Sequence, residues 1–558
     1  MSPKTARWAR LAGWTLALAV LVVLYVVLQP HIVGDRRFNR DRSETFKVWI
    51  LGFGIGLVAL RWAWHRWLEP RASSLTRWSS RALAFLLLAL CFTAVANYGR
   101  FGTYVIRDRV DVYDLIHYYL NARYFDELGY YDLYPACILA DLENGGPWFK
   151  SNPPTFQDQD ENGYAFRPIS EGVQKGLTVK EKFTPERWAS FSHEFLVLQR
   201  ETYGLTLDYW WQLVNDHGFN GSPAWVGYAS PIAKLVPVES VKLLGYLDLV
   251  LLLGAVGASW WAFGGWSAGF LLLFLVTTYS TRWPTVTWAF LRYDYAVALI
   301  LGAAFVRKGK GFWAGLSTSH ATAMRIFPLL WSFGPAVQGL WQLVRHRRLE
   351  RFALLFLAGF VVWLLALEAN FAIQYGWDAV VSYWTDMATH MEPANLSSRR
   401  EGLAIALAYR GEFDAGWSEA RINRVAFQEP IRMVVAALLL LPLAWGLRRA
   451  DRAEAYALGF IPFFALTTAS YYYYVVRAPL IAVYGSDLRR GRHALALGFL
   501  LAVDLFSNFA EQHLGGNRIF VIGWLGWSLL AFCIGTIGVL LWEDAHARPK
   551  TAPLPEPS

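Results

Sequence analysis

Three cysteines in 558 residues are too few for a disulfide framework. Cys91 and Cys533 fall inside apolar runs, which leaves Cys137 alone in a polar stretch, so no paired-cysteine metal site can be built either. Charge is scarce too. Asp, Glu, Lys and Arg make up 17% of the chain, against about 25% in soluble domains. With 55% hydrophobic residues and 28 tryptophans, that shortage excludes disorder, coiled coil and collagen. Apart from one calcium-like stretch, the sequence has no metal-ligand spacing, Gly-rich phosphate loop or nucleophile elbow.

What is present is apolar length. Trp8–Gln29, Phe46–Leu60, Ala82–Asn97, Val241–Phe263, Phe352–Phe371, Ile431–Leu447, Tyr456–Val475 and Phe520–Trp542 approach the roughly 20 residues of a membrane helix. Ser267–Tyr279, Tyr293–Val306, Phe312–Met324, Phe327–Val344, Pro479–Leu488 and Ala494–Phe509 are shorter candidates. The net charge of +9 then calls for no nucleic acid. Its clusters, among them Arg345/Arg347/Arg348/Arg351 and Arg489/Arg490/Arg492, flank the apolar runs as cytoplasmic loops do. Placing every cluster inside predicts an all-α polytopic protein of a cell inner membrane, with about 14 transmembrane helices (roughly 12–14). No small-residue cleavage site precedes Gln29, so the first run reads as an uncleaved helix.

The threading divides the chain. N-terminal membrane helices occupy 1–98, a large extracytoplasmic loop 99–240, core membrane helices 241–371, a second outer loop 372–430, C-terminal membrane helices 431–545 and a cytoplasmic tail 546–558. The large loop far exceeds ordinary connections, and loops of that size build sites or act as passive caps. Asp114–Leu128 and Glu194–Val214 carry apolar residues at helical spacing, which predicts helices lying along the membrane interface.

Chemistry concentrates after the third run. Asp108, Asp111 and Asp114 are spaced by three, which puts them on one face of a helix. Two readings stand. Crowded carboxylates raise one another's pKa, as a general base requires, or they pair with Arg107 and Arg109 as a solvated helix start. Asp158-Gln159-Asp160-Glu161-Asn162-Gly163 repeats the first half of a calcium loop, but position twelve is Ile169. Asp158, Asp160 and Asn162 are thus read either as ligands of a divalent cation (Ca²⁺ or Mg²⁺) or as an Asx-rich turn. The second outer loop mixes Asp378, Trp384, Asp386, His390 and Arg399-Arg400, and the first has Asp216-His217-Gly218-Phe219-Asn220. Both compositions suit sugar recognition, without diagnostic spacing.

Asp114-Leu-Ile-His117-Tyr118-Tyr119-Leu-Asn-Ala122-Arg123, followed by Leu128-Gly129 and Asp132-Leu133-Tyr134, resembles the first outer loop of GT-C superfamily membrane glycosyltransferases. The likeness is to the polyprenyl-phosphate-mannose-dependent branch. Gly315-Leu-Ser-Thr-Ser-His320-Ala-Thr-Ala-Met-Arg325-Ile-Phe-Pro328 is similar to that family's small-residue helix ending in a basic residue and a proline, and Arg292-Tyr293-Asp294 stands where it carries polar residues. The resemblance implies a polyprenyl-phosphate-linked sugar donor and an acceptor hydroxyl on a glycan, lipid or protein, with no required cofactor. It implies Asp114 as base with Asp111 second, and Arg325 on the donor phosphate. Arg292, Arg477 and Arg518, placed near the outer face, join Arg325. His117, Tyr118, Asp294 and His320 fall to substrate contact. The plainer readings are a structural hydrogen-bonding role for His117, a His320 satisfied by Ser317–Ser319, and an Arg325 that snorkels to the interface. A polyprenol-linked glycan flippase, an oligosaccharide polymerase or ligase and a non-catalytic scaffold are the rival functions.

Overall fold

Among the described residues of the computed structural model, eight helices are long and apolar enough to cross a membrane: Thr15–Val33, Asp41–Arg71, Ser74–Tyr98, Lys242–Phe263, Arg351–Tyr375, Glu429–Leu447, Gly491–His513 and Ile519–His546. The structure describes residues 3–34, 40–71, 74–102, 112–146, 155–160, 163–201, 212–281, 290–390, 399–411, 419–514 and 518–546. Helix is what apolar sequence dictates where no water can satisfy the backbone. Leucines such as Leu24, Leu438 and Leu441 face outward, where the chain meets hydrocarbon at no hydrophobic cost.

The shorter runs are helices too, of 13 or 14 residues: Gly265–Thr277, Asp294–Arg307, Gly311–Met324 and Phe333–His346. The first three are largely buried, whereas Phe333–His346 buries only Gly334, Pro335 and Gly339 and exposes Leu340 and Val344. One expected span is broken. Tyr456–Val475 is divided among the helices Arg452–Ala457 and Phe460–Leu466 and the 3₁₀ segment Tyr471–Arg477. The residues between Leu466 and Tyr471 pair instead with 400–401: Glu401 N donates to the Ala469 carbonyl, and Arg400 forms an isolated bridge with Ser470.

The 112–240 region is folded through most of its length. An antiparallel hairpin, β1 (Thr155–Asp160) and β2 (Gly163–Pro168), lies beside the helices Leu133–Glu143 and Ile169–Lys180, and Pro185–Glu201 packs on the first of these. Asp114–Leu128 does not lie along an interface. It is a chain of short helical turns, buried on nearly every residue, because partners cover both of its faces. Among these contacts are the Tyr119 hydroxyl with the Val236 carbonyl at 2.9 Å and the Arg123–Glu194 ion pair at 2.9 Å.

The helix that carries Arg325 at its end crosses Arg351–Tyr375 with unusually little separation. A Cβ on Gly315 would stand 1.9 Å from the Phe356 carbonyl oxygen, and one on Gly359 would stand 2.1 Å from that of Phe312. Gly311, four residues before Gly315, meets the Phe352 carbonyl in the same way. Small residues at this spacing let membrane helices approach backbone to backbone. Gly315→Val is therefore expected to destabilise the protein by about 1–3 kcal/mol through overpacking. The check is a lowered thermal midpoint in detergent, with Leu316→Val as the neighbouring control.

Candidate functional site

The polar segment begins at the helical turn Val112–Leu115 and runs on into a single π-helical turn, Ile116–Leu120. Such turns insert one residue and re-aim side chains, often at functional sites. Asp114 is buried and meets Arg292 with Oδ1–Nε at 3.4 Å. The Arg292 guanidinium lies over the Tyr118 ring at 4.5 Å, and that of Arg325 reaches the same ring at 5.9 Å. Tyr118 is thus shared by two cations, and its hydroxyl donates to Asn220 Oδ1 at 2.6 Å.

Arg292 owes its position to a strained turn. Leu291 has φ 53°, a conformation costly for a bulky side chain and kept only where neighbours over-determine it. They do so here. Asp248, a lone carboxylate in the apolar helix Lys242–Phe263, accepts from the backbone N of Arg292 and of Tyr293, both at 3.0 Å. The Trp225 indole donates to the Leu291 carbonyl at 3.2 Å.

Arg325 opens onto a cavity of about 320 Å³. Asn220, Arg400 and Tyr473 add polar groups to its wall, Tyr383 and Phe327 add aromatic rings, and Ile326, Met387 and Leu466 make one side apolar. Arg325 donates to the Met324 carbonyl at 3.0 Å and approaches the Tyr118 hydroxyl at 3.5 Å, while its buried Nε has no partner among the described residues. Arg400 donates to the Thr468 carbonyl at 3.3 Å. Arg325, which has no ion pair among the described residues, stands beside an aromatic and apolar wall, a place for an anion with a greasy substituent.

Asp114 stands one ring behind that wall, with Tyr118 between its Arg292 partner and Arg325. Burial pushes the Asp114 carboxyl above the usual range, and Arg292, His117 and Arg325 offset part of the rise.

No family model, curated protein or solved structure matches the chain. The likeness to GT-C enzymes rests on the residues quoted above, and the fold sorts them. Asp114, Tyr118, Arg292 and Arg325 come together. His117 does not face the cavity: its ring nitrogens meet the Tyr113 carbonyl at 2.6 Å and the Tyr134 hydroxyl at 2.8 Å. Burial lowers its pKa, so it holds the segment as a neutral ring. Asp294 accepts from the Tyr228 hydroxyl and from Tyr295 N, and His320 accepts from the Trp363 indole at 3.4 Å. Both lie in a polar cluster behind the cavity and do not line it.

Arg477 is fully buried, paired with Asp504 at 2.8 Å and bonded to Thr278. It belongs to the core of the bundle, not to the cavity wall. Asp158 is on a strand and paired with the Lys175 ammonium at 2.7 Å, so a side-chain cation already stands on this carboxylate. Asp160 ends the same strand, opposite Gly163. Asp111 and Asn162 lie outside the described residues, as does the side chain of Arg518. Among the described residues, no group of three or more His, Cys, Asp or Glu could hold a metal ion.

Sequence reasoning passed over Asp248, Tyr383 and the cavity side of the Tyr471–Tyr474 run. A lone carboxylate in an apolar span is a signal by itself, and Asp248 carried it.

Asp386, on the helix Trp377–His390 that brings Tyr383 and Met387 to the cavity, is buried as well. Tyr164 of β2 donates to its Oδ1 at 2.8 Å, and Oδ2 has no partner among the described residues. Burial pushes this carboxyl up to about 7, against about 3.9 in an unfolded chain. The folded state therefore holds the proton more tightly, and stability present below the unfolded pKa is lost as pH rises to the folded one. Asp386→Asn keeps the shape without the charge. It is expected to match wild type in thermal midpoint at pH 4 and to exceed it at pH 8. A midpoint no higher than wild type at pH 8 would show that the carboxylate is solvated or paired.

Proposed function

We propose that the protein is a membrane glycosyltransferase that moves a sugar from a polyprenyl-phosphate-linked donor to an acceptor hydroxyl. The observation that carries this reading is the cavity at Arg325, whose guanidinium has no ion pair among the described residues and faces aromatic and apolar walls. Arg325 supplies charge-assisted hydrogen bonds to the leaving lipid phosphate. Tyr383 and Tyr473 offer rings for a pyranose face, and Ile326 and Leu466 lead toward hydrocarbon.

Asp114 is the base in this reading. Its raised pKa suits a group that must accept a proton near neutral pH, and Arg292 stabilises it once ionised. Catalytic hydrogen bonds are often long before substrate arrives, which is the condition of a carboxylate set one ring behind the cavity. The shorter buried helices would add crossings to the eight long ones, toward the 14 that the charge pattern asks for, with the cavity at the outer face of an inner membrane.

The test is reconstitution of the purified protein in proteoliposomes with a panel of radiolabelled polyprenyl-phosphate sugars, reading sugar release and transfer to crude envelope acceptors. Transfer from at least one donor is expected. Absence of turnover with every donor, together with movement of lipid-linked glycan across the bilayer, would replace this reading with a flippase.

A further inference from the structure

A second cavity, of about 380 Å³, lies between the helices Gly491–His513 and Arg518–His546. Leu495, Ala496 and Phe499 form one wall, and Phe532, Gly535 and Val539 form the other. Spacings of three and four keep each set on one helix face, so the cavity is a furrow along both helices. A Cβ added at Gly535 would meet nothing within 4 Å; glycine leaves the furrow open here without any backbone contact requiring it. Leu495 is 77% exposed, and Phe499 and Val539 are exposed as well, so the furrow gives onto the outside of the bundle. Apolar cavities of this size hold apolar ligands in preference to water. In a bilayer the neighbouring apolar ligand is an acyl chain.

The polar end of the furrow is charged in a particular pattern. Arg492 donates to both oxygens of Glu454, at 2.6 and 2.8 Å, and its Nε meets Glu543 at 3.0 Å. One guanidinium is thus shared by two carboxylates, and the side chain of Glu543 remains 44% exposed. The next residue, Asp544, is held by Arg448 and Arg449, which leaves Glu543 as the accessible carboxylate beside Arg492 at the polar end of the furrow. From Arg492 to Phe499 the furrow extends seven residues, roughly 10 Å, down the helix, a depth that leads from headgroups into hydrocarbon.

We propose that this furrow binds a phospholipid with a primary-amine zwitterionic headgroup. One acyl chain lies against Phe499 and Phe532, and the ammonium rests on Glu543 beside Arg492. The site is independent of the cavity at Arg325 and of the transferase reading.

The experiment uses the full-length protein in detergent and phospholipid probes with a diazirine in the acyl chain, bearing ethanolamine, choline or glycerol headgroups, with labelled peptides identified by mass spectrometry. The ethanolamine probe is expected to label the 495–499 and 532–539 segments at least about tenfold more than the choline or glycerol probes. Gly535→Phe, which fills the furrow, should lower that labelling by a similar factor. Glu543→Gln should bring the ethanolamine probe down to the choline level. Equal labelling by all three probes in the wild-type protein overturns the proposal, and that comparison needs no variant. Label spread evenly onto the outward face of Glu429–Leu447, or unchanged in a Gly535→Phe protein whose thermal midpoint matches wild type, does the same.

Discussion

Replacing Asp114 by Asn should lower sugar transfer by about 10²–10⁴-fold, the usual worth of a positioned general base, in protein that still folds. Asn has nearly the same shape but leaves the buried Arg292 without its ion-pair partner, so the thermal midpoint falls as well, and turnover is compared at a temperature where both proteins are folded. Asp114→Glu moves the carboxylate by one methylene toward Tyr118 and should fall between Asn and wild type. Because burial raises this carboxyl, the base is lost as pH falls through a value above the ordinary carboxylate range. The acid limb of the wild-type rate profile is therefore displaced upward in pH, and it disappears from the residual activity of Asp114→Asn. Full activity in Asp114→Asn would remove Asp114 as the base and direct attention to Asp111.

Asp114 drew notice through its spacing with Asp108 and Asp111 and through the acidic position of the family likeness, and Arg325 as an arginine closing a small-residue helix. Their common neighbour was harder to see. Tyr118 joins them because the π-helical turn aims its ring between two guanidiniums, and no periodicity announces an inserted residue. Asn220 and Arg400 stand in stretches whose composition drew notice, yet only tertiary closure brings them to one cavity. The burial of Asp114–Leu128 went unread for a related reason. Its apolar spacing fits a helix on a membrane surface as well as one enclosed by protein, and the deciding partners lie about a hundred residues further on. The long spans came through whole, since lipid imposes helix on any apolar run of sufficient length. Tyr456–Val475 did not, because its residues bond to a distant loop.

Arg477→Ala is expected to carry the largest stability loss, about 3–5 kcal/mol. The guanidinium is wholly buried and donates to Asp504 Oδ1 at 2.8 Å, an oxygen that also accepts from Thr278 Oγ1 at 2.8 Å and Tyr279 N at 3.0 Å. Removing it strands the Asp504 charge among apolar helices. Arg477→Met with Asp504→Leu removes both charges and should recover much of the loss, since apolar replacements of a buried pair are often neutral. Thermal midpoints of the three proteins in one detergent decide the matter. A single variant as stable as wild type would show that the pair contributes nothing net.

The cavity wall combines Asn220, Arg325, Tyr383, Arg400 and Tyr473, which are scattered over a little under half of the chain. During synthesis these residues leave the ribosome one after another, and the enclosure has a wall missing until the stretch through Tyr473 has been inserted. A nascent chain halted before that point carries Asp114, Arg292 and Arg325 without the chamber that brings a ligand to them. The capacity to enclose a ligand would thus switch on late and all at once, and an incompletely inserted polypeptide would have no chamber to fill.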